Sequence, residues 1–182
     1  GRGAKLNYSP VKEKAIQLAK DILDKFPEEY SKKWYQMMFE KLGITNPLIE
    51  DKALVDTLLQ LMEDHKADYT NTFAALTLNQ VSNDSLFTSR KFNNWRKQWE
   101  NRTNHTDKQI KTLKLMQSKN PLVIPRNHLV ESALEDAIQG NKSQFNELIN
   151  LISKPYNYKP PHKNFQTIPS GFDDCYKTFC GT

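Results

Sequence analysis

The side chains whose types and spacing could do chemistry gather in one stretch, Asn120-Pro121-Leu122-Val123-Ile124-Pro125-Arg126-Asn127-His128-Leu129-Val130-Glu131. A guanidinium, an imidazole, two side-chain amides and a carboxylate lie close together here, a set able to hold an anion or to pair internally. The two prolines push Asn120 and Ile124 out of the helical region, so the run between them is extended. Asn127 then stands where an N-cap belongs, followed at helical spacing by Leu129, Val130, Ala133, Leu134, Ala137 and Ile138. Arg126 sits beside the positive end of that helix, an unfavourable place for a cation. It is expected to be held by Glu131, by another carboxylate or by backbone carbonyls. On its residues alone the stretch is a rigid connector into an amphipathic helix, with Arg126 in a structural ion pair.

Other chemistries find little support. There is no glycine-rich phosphate loop, no His-Arg-Asp catalytic loop and no Asp-Phe-Gly. Phe172-Asp173-Asp174 is no substitute, because it lies in a proline-rich tail rather than after a strand. His65, His105, His128 and His162 are scattered, none at ligand spacing from a cysteine or carboxylate. No serine elbow with a base is visible. No catalytic, cofactor-binding or metal-binding residue is therefore assigned. Trp95 and Trp99, four apart among Arg90, Lys91, Arg96, Lys97 and Arg102, could stack on bases and neutralise phosphates. Indoles sharing one helical face more often pack inward, which leaves the cations as a solvated rim.

The elements that must position these residues are helical. Ser9-Pro10 opens a first helix with Ala15, Leu18, Ala19, Ile22 and Phe26 in a stripe. Phe26-Pro27 is expected to end it and open a second, carrying Tyr30, Trp34, Met37 and Met38 up to a Gly43 C-cap. A third carries Leu54, Leu58, Leu61 and Met62. Asp68 caps a short fourth with Phe73 and Leu76, and Ser82-Asn83-Asp84-Ser85 is a loop. A fifth holds Phe92, Trp95 and Trp99. Thr106 caps a sixth with Ile110, Leu113 and Met116. The helix from Asn127 ends at Gly140, and an eighth runs from Ser143 towards Pro155. No segment alternates at period two. The expected fold is all-α, an irregular domain of seven or eight helices over 1–154, with an extended proline-rich tail over 155–182. Its core is expected to contain Trp34, Met38, Leu58, Leu61, Phe73, Trp95, Leu134 and Leu148.

A chain of 182 residues with a net charge of +5 is one domain or one large piece of a domain. The charge is a patchwork. Residues 51–85 carry six acids against Lys52 and Lys66, whereas 86–119 carry nine Lys or Arg against Glu100 and Asp107. Such segregation suits an internal match or a basic face for an acidic partner. Two cysteines near the end do not form a secreted disulfide framework, and no apolar run reaches membrane-span length. A cytoplasmic protein is expected.

Asn120-Pro121, Ile124-Pro125-Arg126-Asn127-His128 and Val130-Glu131 resemble the C-terminal signature of the selenoprotein O / YdiU family. Further blocks follow the family order: Phe26-Pro27 with Tyr30, Trp34, Met38 and Lys41-Leu42-Gly43; Leu58-Leu59 with Leu61-Met62; Asp68-Tyr69-Thr70 with Thr72-Phe73; Trp95 to Trp99; Met116; Lys154-Pro155-Tyr156; and Pro160-Pro161. Together they cover about Phe26 to Cys180. Ala74 departs from the pattern, since family members commonly carry arginine there.

The resemblance implies a kinase-like enzyme that transfers AMP from ATP to protein hydroxyls, with ATP and Mg²⁺ as cofactors of the full-length protein. It also implies that these blocks lie downstream of the ATP-binding lysine, the metal-binding Asn and Asp, and the catalytic acid. The chain would then be a non-catalytic C-terminal portion. Its partners would be the N-terminal kinase-like lobe and, for the whole enzyme, its protein substrates. Cys180, third from the end, matches a redox-capable family position and implies a natural terminus there. A freestanding helical domain binding nucleic acid through 86–119, or a protein-interaction module, remain the alternatives.

Overall fold

The computed structural model describes residues 10–80, 84–103, 109–159, 163–167 and 169. Their elements are α1 (Pro10–Lys41), α2 (Asp51–Asp64), α3 (Tyr69–Thr77), α4 (Ser85–Thr88), α5 (Arg90–Thr103), α6 (Gln109–Lys119), α7 (Asn127–Ile138), α8 (Ser143–Ile152) and α9 (Lys163–Gln166). Seven are full helices, α4 and α9 are four-residue turns, and no strand occurs among the described residues. The all-α expectation holds.

Two apolar clusters share α3 as a common wall. The larger packs Met38 and Phe39 of α1 and Leu42 just after it against Val55, Leu58, Leu61 and Met62 of α2, with Phe73, Leu76, Phe92, Trp95, Trp99 and Met116 around them. The smaller gathers Ala74 of α3 with Leu122, Val123, Ala133, Leu148 and Phe165. The extended run after Asn120 thus supplies Leu122 and Val123 to the core, which its reading as a connector did not anticipate.

The two indoles lie in the larger cluster, stacked with centroids 5.9 Å apart. Trp95 Nε1 donates to the Leu54 carbonyl at 2.8 Å and Trp99 Nε1 to the Leu42 carbonyl at 2.9 Å. Each buried polar tip is therefore satisfied, as buried indoles require. Opposite charges meet at this seam too. Arg102 forks onto Asp51 at 2.7 and 2.8 Å, and Asp51 is buried. At least here the acidic and basic segments match each other within the chain.

Gly43 ends α1 at φ +72°, with the Gly43 amide bonded to the Glu40 carbonyl and the Ile44 amide to the Phe39 carbonyl. That left-handed residue turns the chain sharply at the helix end.

Several expectations are corrected. Pro27 does not divide α1, which runs through it as one helix. Proline removes its own N–H and crowds the Leu23 carbonyl, but residues 21–30 are all exposed, so that carbonyl can tilt outward to water. Leu134 is 46% exposed rather than core, because Ala133 is the residue that α7 buries. Trp34 is half-buried at the edge of the larger cluster. Ile110 and Leu113 are exposed, leaving Met116 as the buried residue of that spacing. Ser85 begins α4 instead of ending a loop. Thr106 and Ser82-Asn83 lie outside the described residues.

Candidate functional site

Asp68 is the N-cap of α3, its carboxylate accepting from the Asn71 amide at 2.7 Å. A carboxylate at a helix start complements the dipole and satisfies one of the free amides there. From the far side Arg126 closes on the same group. Its Nη1 reaches Asp68 Oδ2 at 3.0 Å, and its Nη2 reaches Asp68 Oδ1 at 2.9 Å and Asn71 Oδ1 at 3.1 Å. The Arg126 side chain is 10% exposed and Asp68 22%. This two-pronged geometry suits guanidinium and carboxylate.

The carboxylate expected for Arg126 is therefore Asp68, and Glu131 instead lies exposed. Asn127 is corrected as well. Arg126 is the N-cap, with extended backbone angles, and Asn127 is the first helical residue. The Arg126 carbonyl accepts the Leu129 and Val130 amides, while no side chain caps α7. The cation avoids the positive end of α7 by turning onto the carboxylate at the start of α3.

Asn120, at the head of the stretch, is fully buried. Its Nδ2 donates to the Lys41 carbonyl at 2.8 Å and to Thr77 Oγ1 at 2.9 Å, and its own carbonyl accepts from Tyr158 Oη at 2.6 Å. Lys41 Nζ caps the Lys119 carbonyl at 3.0 Å, and burial pushes this amine's pKa down. Beyond Pro121 the Leu122 amide bonds the Pro155 carbonyl, Gln166 Nε2 donates to the Leu122 carbonyl, and Asn71 Nδ2 to the Gln166 carbonyl. Residues of the expected tail are thus laced onto the signature stretch. Pro125 is exposed and Pro121 half-buried.

Asp68, Asn71, Thr72, Asp84 and Gln166 line a cavity of about 270 Å³ beside this node. Asp68 is committed to Arg126 and to the helix start, so it is not poised as a general base. The arrangement fixes α3, α7 and the chain after Ile152 relative to one another. The sequence flagged Asp68 as a cap but not as the partner of Arg126, and flagged neither Asn71 nor Thr77. The signal available was Asp68-x-x-Asn71 at a helix start.

The model of the protein adenylyltransferase SelO family matches residues 11–153. The chain belongs to this family. A protein nucleotidyltransferase YdiU of Bacillus cereus (strain AH820) is 40% identical over 172 residues, covering 93% of this chain and 35% of that protein. One of the same name from Clostridium beijerinckii is 39% identical over 171 residues, with the same shares. The chain thus spans about a third of the length of the curated relatives it matches. In this SelO-family chain the signature residues split into two buried groups, Asn120 at one end and Arg126 at the other, while Asn127 and Glu131 face outward. Ala74, where the resemblance led to an expectation of arginine, is buried in the smaller cluster and lines the cavity. Cys180 and Phe172-Asp173-Asp174 lie outside the described residues.

Proposed function

We propose that this chain is the non-catalytic C-terminal helical part of a protein nucleotidyltransferase that transfers AMP from ATP to protein hydroxyls, and that it buttresses the enzyme's kinase-like lobe. The observation that carries the reading is the pair of shares: the relatives match 93% of this chain, yet the chain fills 35% of each. Whatever distinguishes those enzymes over the remaining two thirds has no counterpart here.

On this reading the described side chains are not the ones that hold Mg²⁺-bound ATP. Among them no group of three or more His, Cys, Asp and Glu could hold a metal ion. The best-placed guanidinium is spent on Asp68 rather than turned to a ligand. On this reading ATP and Mg²⁺ are held by the remainder of the parent protein, which also meets the protein substrates. Cys180 would act as a tether, exchanging with a disulfide oxidant and then with a cysteine of the lobe. A cytoplasmic setting suits both roles, and no helix among the described residues is long and apolar enough to cross a membrane. Nucleic-acid binding through α5 is disfavoured because its indoles are buried and bonded.

Calorimetric titration with Mg²⁺-ATP tests the reading. The full-length parent should bind saturably and the 182-residue chain should not. Saturable micromolar binding by the chain alone would reject it.

A further inference from the structure

α1 carries two apolar faces, and the described residues explain one of them. At about 100° per residue, Tyr35, Met38, Phe39 and Leu42 fall on one side of the helix, the side buried in the larger cluster. Ala15, Ala19, Ile22, Phe26, Tyr30 and Met37 fall in a separate stripe roughly opposite. Along that stripe Ile22 is 70% exposed, Phe26 62%, Tyr30 58% and Met37 40%. Gln17, Asp21, Asp24 and Glu28 occupy the other side of the helix's first half, so the pattern is amphipathic and not merely apolar. Every residue from Lys12 to Tyr30 is exposed. Phe26, Tyr30, Trp34 and Met37, flanked by Glu29 and Lys33, also line a shallow groove of about 490 Å³.

A helix of this length draws most of its stability from packing an apolar face, and among the described residues nothing packs on the first half of α1. A row of exposed isoleucine, phenylalanine, tyrosine and methionine of this extent marks a docking surface. The occupant follows from the lengths. The relatives continue for about two thirds of their chain beyond what matches here. If this chain is part of such a protein, that remainder is covalently joined to it, and docking it carries a much smaller entropic penalty than recruiting a free partner.

We propose that the outer stripe of α1, from Ala15 to Met37, is the seat of the remainder of the same polypeptide, with Phe26 and Tyr30 as its anchors in an intramolecular interface. This rests on the reading that the chain is part of a larger nucleotidyltransferase, and it adds where the two parts join. Aromatic anchors in a groove with one acid and one base at its rim suit a stable apolar seam rather than a nucleic-acid or membrane face.

The test uses the full-length parent carrying the photo-crosslinker p-benzoylphenylalanine at position 26, or at position 24 on the opposite face as control. The expected result is a crosslink from position 26 to a peptide of the same polypeptide outside these 182 residues, with several-fold less adduct from position 24. A crosslink from position 26 to α1 of a second copy, found at dimer mass, would overturn the proposal in favour of self-association. Equal yields from the two positions, or no peptide adduct from either, would overturn it as well. AMP transfer by the unsubstituted parent is measured separately. Transfer without the expected crosslink sinks the docking surface alone, and the crosslink without transfer sinks the enzymatic reading alone.

Discussion

At the scale of single residues, Arg126 holds the joint between α3 and α7 through a mostly buried ion pair. Its side chain is nine-tenths buried and its charge is met by Asp68 in two hydrogen bonds. Truncation leaves that carboxylate without its counter-charge. Arg126→Ala is expected to destabilise the fold by about 2–4 kcal/mol, since breaking a mostly buried pair costs more than the pair contributes. Arg126→Lys should recover only part of this, because one ammonium cannot match the fork that also reaches Asn71. Denaturant unfolding of the two variants checks both statements, and an unchanged midpoint for Arg126→Ala would reduce Arg126 to an incidental surface contact. The need for a partner was legible in the sequence, because a cation beside a helix start must be compensated. The identity of the partner was not. Asp68 lies 58 positions away, and nothing local says that α3 and α7 start side by side.

At the scale of elements, the joint between α1 and α6 turns on Gly43. A Cβ there would come within 2.5 Å of Thr112 Cγ2 and 3.0 Å of Met116 Cγ, on top of the cost of a left-handed backbone. Gly43→Ala should therefore destabilise by about 2–4 kcal/mol, strain and overpacking acting together. A loss under about 1 kcal/mol in thermal unfolding, near the intrinsic difference between the two residues, would contradict that account. The same joint carries a pH signal. The hydrogen bond from Lys119, with a second from Gln36, holds the Glu40 carboxyl below its ordinary value. A lowered folded-state value means stability that is present above pH 4.5 and is lost as pH falls through the folded value. Glu40→Gln should flatten the acid limb of the stability curve and change little at neutral pH in slope, and parallel acid limbs would refute the linkage. Gly43 as a C-cap was readable, since glycine is the residue that this turn favours. The continuity of α1 through Pro27 was not, because proline marks a boundary by local rules. What decides between a break and a passage is whether the freed carbonyl meets water or a dry core.

For the whole molecule, helical periodicity located the helices, though it divided α1 at Pro27, and it placed Met38, Leu58, Leu61, Phe73, Trp95 and Leu148 correctly in the core. Leu134 and the outer stripe of α1 are where it failed. Periodicity shows that a face is apolar but not what covers it, and in α1 two such faces coexist on one helix. The site was legible as a braced connector from Asn120 to Glu131, while its lacing to Pro155, Tyr158 and Gln166 is tertiary and had no local signal. The burial of Trp95 and Trp99 also sets an expectation for nucleic acid: binding to DNA or RNA should vanish between low and physiological salt, as weak phosphate attraction does without base stacking.

The central claim is that this chain supports an AMP-transferring enzyme without performing the chemistry. It is tested most directly by following transfer of labelled AMP from Mg²⁺-ATP to a protein acceptor, with the full-length parent and the 182-residue chain assayed side by side. The account predicts labelling by the parent and none above background by the chain. Labelling by the chain alone, or a parent that transfers no nucleotide to protein, would contradict it.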